Sequence, residues 1–172
     1  LLINNVDDAE WKHAICDKNI LQRKSPSSAR TLANLIRQRL TLVQPDLWHM
    51  VEGGSSEVAT QAVLAAAIKH SRLLGDFMDS VCRDHWKTYN PKLTYADWRN
   101  YLERCTQIEP TVANWSEATT IILRRVVFRI LAESSYLDNT RSLELQAVQV
   151  TPEVSRYLKN NNEDYVLRCM EI

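Results

Sequence analysis

Between Pro26 and Val43 the apolar residues Ala29, Leu32, Ala33, Ile36, Leu40 and Val43 recur at intervals of three and four, which lays them along one face of a helix. Ser25 stands where its hydroxyl can cap free amides, and Pro26 fills a first-turn position whose N–H is not needed. The pattern predicts a helix over about residues 26–43. Weaker patterns of the same period flank it. Trp11, Ala14 and Ile15, preceded by acidic residues, predict a helix over about 7–17. Pro45 opens a short helix through Trp48 to Val51, which Gly53 and Gly54 stop. Ser55 or Ser56 caps an alanine-rich helix to about His70, apolar at Val58, Ala62, Ala65, Ala66 and Ile68.

Ser71 caps the next predicted helix, with Leu74, Phe77, Met78, Val81 and Cys82 inward, and Asn90–Pro91 ends it near Tyr89. Thr94 with Asp97 three residues on resembles a capping box and starts a helix to about Ile108. Pro110 breaks the chain, and Ser116 caps a helix over about 117–134 whose apolar residues point nearly all round the axis, the pattern of a helix enclosed by others. In LELQAVQV, residues 143–150, Leu143, Leu145 and Ala147 alternate with Glu144 and Gln146, the pattern of a short strand, although one strand cannot make a sheet. Thr151-Pro152-Glu153 repeats the cap-plus-proline signal for a helix through Leu158, and Asn160–Asn162 separates it from a last short one. The fold class is therefore all-α: a compact single-domain bundle of about seven to nine helices over residues 1–172, with the short segment near 143–150 as the one strand candidate.

Composition supports this. The chain has 172 residues, 45% of them hydrophobic and 24% charged, enough to bury one sizeable core, and only three glycines interrupt its long segments. No apolar run approaches the roughly 20 residues needed to span a bilayer, so the expectation is a soluble cytoplasmic protein without membrane contact. The chain opens on Leu1 rather than methionine, and its natural N-terminus is read as missing. Cys16, Cys82, Cys105 and Cys169 lie far apart without a CxxC pair, as small core residues in a reducing compartment do.

Charge changes the picture. The 21 cations balance 21 carboxylates, yet the stretch from Lys18 to Pro45 holds six cations and no carboxylate, and residues 121–132 add three arginines. On the helix from Pro26 a stripe of Arg30, Asn34, Arg37 and Thr41 runs beside the apolar face, preceded by Arg23 and Lys24. Arginine offers a planar fork of donors, and Asn and Thr reach phosphate or base edges, so the ridge suits nucleic-acid phosphates. The plain alternative is an ordinary solvated helix face. Arg125 and Arg129 either extend a nucleic-acid contact or pair internally with a carboxylate such as Glu133, and the second weighs more.

Other chemistry is sparse. His13-x-x-Cys16 and Cys82-x-x-His85 have the elements of a zinc set but lack a turn-based CxxC knuckle, and structural roles are favoured, so neither metal nor cofactor is expected. No nucleophile constellation and no phosphate-cradling glycine loop is present, which points away from an enzyme.

The blocks NILQRKSPSSARTLANLIRQRL and VVFRILAESSYLDNTRSLELQAVQVTPEVSRYL, joined by VATQAVLAAAIKHSRLLGDFMDSV, resemble the BrxA family of the BREX bacteriophage-defence systems. The resemblance covers nearly the whole chain, except that family members normally carry additional N-terminal residues. It implies a compact, mainly helical fold likened to the antitermination factor NusB, a DNA-binding role, other BREX proteins as partners, and no catalytic residues. Carried over position by position, the family's basic sites in the first block match Arg30, Arg37 and Arg39. Two function classes follow: a duplex-DNA binder acting mainly through backbone phosphates, or an adaptor whose basic stripe meets an acidic protein surface. RNA is a narrower rival suggested by the NusB-like fold alone.

Overall fold

The computed structural model describes residues 1–172, which fold as two compact units, Leu1–His70 and Ser71–Ile172. Both are mainly helical, as the periodicity predicts.

In the first unit Asp7 caps α1 (Asp8–Lys12), accepting from the Glu10 amide at 2.8 Å, and the chain runs on through a wide helical turn, His13–Asp17. Ser25 accepts from the Ser28 amide at 3.2 Å and starts α2 (Pro26–Leu40) where the sequence places it. Its small residues Ala29 and Ala33 are buried against Ile15, with Trp11, Cys16 and Leu21 packed around them. Alanines at these two positions let the N-terminal segment approach α2 closely. The helix ends three residues sooner than its apolar pattern, since Trp48 of α3 (Pro45–Gly53) donates from Nε1 to the Leu40 carbonyl at 2.7 Å and occupies an acceptor at the helix end. Gly54 turns the chain into α4 (Ser56–His70), with Ser55 rather than Ser56 supplying the capping oxygen to Val58.

The burial pattern of α4 corrects one expectation. Val58, Gln61, Ala62, Leu64, Ala65, Ala66, Ala67 and Ile68 are all buried, round most of the axis, with Val63 the exposed side at 42%, so this is the more enclosed helix. The helix expected to be enclosed, α8 (Glu117–Glu133), buries only Val127, Phe128 and Leu131 and leaves Ile122 58% exposed. Three arginines on α8 require water, whereas alanines let neighbours close in round most of α4.

The second unit begins with α5 (Arg72–Asp76), which continues through a π turn, Phe77–Cys82, into α6 (Arg83–Lys87) as one helical path. Thr94 caps α7 (Tyr95–Ile108) with both bonds of the capping box in place, Asp97 serving as well as the usual Glu. Phe77, Trp98, Tyr101 and Phe128 meet with ring centroids 5.3–6.4 Å apart, the hydrophobic centre of this unit. The polar tips of its aromatics are satisfied: Trp98 Nε1 donates to the Thr120 carbonyl at 3.2 Å and the Tyr101 hydroxyl to that of Leu73 at 2.9 Å. Helices α9 (Pro152–Asn160) and α10 (Asp164–Met170) close the unit, and the buried Tyr136 hydroxyl donates to the Met170 carbonyl at 2.7 Å.

No strand forms over 143–150. Leu145 and Glu144 make single antiparallel bridges to Leu137 and Lys92. Leu143 is left-handed, φ 59°, which breaks the extended run, and Ala147 is already exposed. The alternation is real but serves as a two-pronged anchor: Leu143 and Leu145 are 5% and 4% exposed between two loops.

Candidate nucleic-acid interface

The entrance to α2 is built by local hydrogen bonding. Asn19 adopts left-handed backbone, φ 48°, and its side-chain amide grips one residue from both sides: Oδ1 accepts from the Arg23 amide at 2.9 Å and Nδ2 donates to the Arg23 carbonyl at 2.8 Å. Arg23 and Lys24 follow on this held loop, both exposed and neither paired with a carboxylate. Arg30, one turn into α2, is exposed and points a guanidinium nitrogen at the Cys16 sulfur, 3.9 Å away. Lys18, which closes the wide turn after α1, is a fourth exposed cation without an acidic partner. It belongs to the basic run in the sequence, but helical periodicity could not assign it to the ridge, because it lies before the helix.

Further along α2 the ridge changes character. Asn34 is exposed. Arg37 donates from Nη1 to the Asp8 carboxylate at 3.1 Å and sits 4.9 Å from the centre of the Trp11 ring, so its charge faces an anion and an aromatic surface of its own unit. Thr41, the C-cap, is exposed but spends its hydroxyl proton on the Gln38 carbonyl at 3.2 Å. Arg37 and Thr41 also line a groove of about 390 Å³ with Asn5, Trp48 and His49, the last a polar side chain that no pattern in the sequence marks. Arg39 is half-buried with its Nε unpartnered, and burial lowers its pKa below the ordinary arginine value; it is a structural cation rather than a surface one.

The cations of α8 belong to the second unit. Arg129 faces Glu133 one turn on, 3.8 Å apart, which is the internal pairing weighed more heavily from sequence. Arg125 is exposed and carries no ion pair, while Arg124 lies 3.9 Å from the Tyr95 ring centre.

The histidines of the zinc-like pairs have other partners. His13 bonds Asp17 at 3.0 Å, and His85 faces Asp97 at 3.2 Å and the Asn90 carbonyl at 2.8 Å. No group of three or more His, Cys, Asp or Glu side chains is placed to hold a metal ion. Cys82 and Cys169 are buried, and burial raises both thiol pKa values, that of Cys169 to about 11, so they stay protonated. No helix is long and apolar enough to cross a membrane.

Comparison with known proteins gives this geometry a context. The chain is 44% identical over 172 residues to the BREX protein BrxA of Paramagnetospirillum magneticum, spanning 100% of this chain and 86% of that protein. It is 28% identical over 171 residues to the BREX protein BrxA of Escherichia coli O9:H4, spanning 99% and 80%. The crystal structure of an uncharacterized protein from Magnetospirillum magneticum matches with a TM-score of 0.89 at 43% identity, over 99% of this chain and 87% of that one. The BrxA family model matches residues 1–162, and the chain belongs to the BrxA family.

Proposed function

We propose that this protein is a non-enzymatic, cytoplasmic component of a BREX bacteriophage-defence system that binds duplex DNA through its backbone phosphates and works beside other BREX proteins. The membership rests on the relatives named BREX protein BrxA. The DNA reading rests on one observation: Lys18, Arg23, Lys24 and Arg30 crowd the entrance of α2, exposed and without carboxylate partners, on a chain of zero net charge. Free guanidinium and ammonium groups release counterions from a phosphate lattice, whereas paired ones must first give up a partner. Asn34 is the ridge residue best suited to touch a base edge, so affinity outweighs sequence readout in this arrangement.

The number of free cations sets the salt dependence. Four phosphate contacts give a slope of log affinity against log salt of roughly −3.6, a fall of about a hundredfold between about 50 and 200 mM. The test is duplex binding by fluorescence anisotropy across that range, with Arg23→Glu, Lys24→Glu and Arg30→Glu combined in one variant. The variant is expected to lose both affinity and slope while melting like wild type. Unchanged binding would remove the α2 entrance as the site, and stronger competition by RNA than by duplex DNA of equal length would assign the ligand to RNA.

A further inference from the structure

The turn that closes helix α6 carries a residue, Tyr89, that the fold itself does not use. The Asn90 amide reaches back to the His85 carbonyl at 3.0 Å and the Tyr89 amide to that of Trp86 at 3.2 Å, closing the helix with Tyr89 in the left-handed region, φ 56°. That position is normally given to glycine or asparagine, because a side chain there crowds its own backbone. Leu143 bears the same strain, φ 59°, but is 5% exposed and returns it in burial. Tyr89 is 94% exposed and returns nothing to the fold.

The turn is held firmly all the same. His85 Nδ1 bonds the Asn90 carbonyl at 2.8 Å, and His85 Nε2 faces the Asp97 carboxylate at 3.2 Å. Asp97 in turn completes the capping box of α7 with Thr94. A bulky aromatic ring is thus displayed, at a conformational cost, on a fixed support.

We propose that Tyr89 is a stacking platform for an unpaired nucleobase, which makes this turn a nucleic-acid contact belonging to the second unit. The inference rests on the nucleic-acid reading above and adds a class of ligand to it: nucleic acid with single-stranded character. The surroundings of the ring decide between a base and a protein partner. Protein hot spots gather several apolar side chains in one desolvated centre. Along this turn the chain supplies Lys87, Thr88, Asn90 and Lys92, polar or cationic, with the half-buried Pro91 and Trp86, 39% exposed, as the apolar neighbours. An exposed ring on a turn that also carries two exposed lysines, Lys87 and Lys92, suits a base with its phosphates. Asp84 and Glu144 are also exposed nearby, the first on α6 and the second bridged to Lys92, so local charge is balanced and stacking carries the affinity.

The experiment compares a blunt duplex with the same duplex bearing a short single-stranded overhang that contains 2-aminopurine. Wild type is expected to bind the overhang form about tenfold more tightly, with changed 2-aminopurine fluorescence and with a gain that salt does not erode. Tyr89→Phe keeps the gain. Tyr89→Gly loses it, yet melts at or above the wild-type temperature because glycine relieves the left-handed strain, so loss of folding cannot imitate loss of stacking. A gain that survives in Tyr89→Gly, or wild-type protein that binds both duplexes equally, overturns the inference and leaves the α2 reading standing. Wild-type protein that binds neither duplex overturns both.

Discussion

Arg37 Nη1 and the Asp8 carboxylate meet at 3.1 Å across 29 residues of sequence, joining the middle of the basic ridge to the first turn of α1. The pair is solvent-exposed, 42% on the arginine side chain and 89% on the aspartate, so its contribution to stability is small. Its effect on charge is larger, because it removes one cation from the field that a phosphate would meet.

Asp8→Asn therefore tests whether the ridge extends past Arg30. The substitution frees Arg37 without moving it from α2. Duplex affinity is expected to rise several-fold at low salt, with the salt slope steeper by about one, and thermal stability is expected to stay within about 0.5 kcal/mol. A salt titration of wild type beside the variant measures both quantities. No change in slope would place Arg37 outside the contact.

Asn19 is predicted to matter for binding although it carries no charge. Its amide holds the peptide of Arg23 from both sides, so the entrance cations start from an ordered loop. Removing the clamp obliges DNA to order that loop, at a cost of about 1 kcal/mol or roughly fivefold in affinity. Asn19→Ala and Asn19→Gly should weaken binding equally. The alanine variant should lose more stability than the glycine variant, since it alone is disfavoured at φ 48°. Anisotropy and thermal melts on the two variants separate the clamp from the backbone strain.

Much of this architecture is legible in the sequence, and the parts that are not share a cause. Ser25, Ser71, Thr94 and Ser116 all cap the helices that their sequence positions predict, because a cap is a contact among near neighbours. Enclosure depends on what packs from outside, so the apolar residues all round α8 suggest an enclosure that its arginines prevent, while the alanine pattern of α4 does not by itself announce the closer packing found there. The alternation of Leu143 and Leu145 reads as strand because period two records only which side chains are buried, not whether the backbone between them pairs. The same limit applies to the ridge. Periodicity puts Arg30 and Arg37 on one stripe, but it has no means of bringing Asp8 and Trp11 beside one of them.

Acid should loosen the second unit through Asp97. Burial works to raise its pKa, but bonds from the Thr94 hydroxyl and amide, together with His85, outweigh burial and hold it below the ordinary aspartate value of 3.8. A carboxyl depressed in the folded state stabilises fully above its unfolded pKa and loses that contribution as pH falls through the folded value. Urea midpoints should therefore be level near neutrality and fall below about pH 4. Asp97→Asn should cost about 1 kcal/mol at pH 7 through the weakened cap and narrow the gap between neutral and acid midpoints. An unaltered gap would assign the acid response to other carboxylates.

The corner between α3 and α4 provides a paired test of close packing, because two adjacent glycines should respond in opposite directions to the same substitution. A methyl group on Gly54 would lie 2.5 Å from the Met50 carbonyl oxygen and 2.9 Å from Val58 Cγ1. The first contact is backbone and the second belongs to a side chain only 8% exposed, so relief requires the two helices to move apart. Gly54→Ala is expected to destabilise by about 2 kcal/mol. A methyl group on Gly53 meets nothing within 4 Å, and as the last residue of α3 this position gains helix propensity, so Gly53→Ala is expected to be neutral or to stabilise by up to about 1 kcal/mol. Chemical denaturation of the two variants decides the matter: equal destabilisation would mean that both glycines serve chain flexibility, whereas a loss confined to Gly54 would mean that the tight corner is what excludes a side chain.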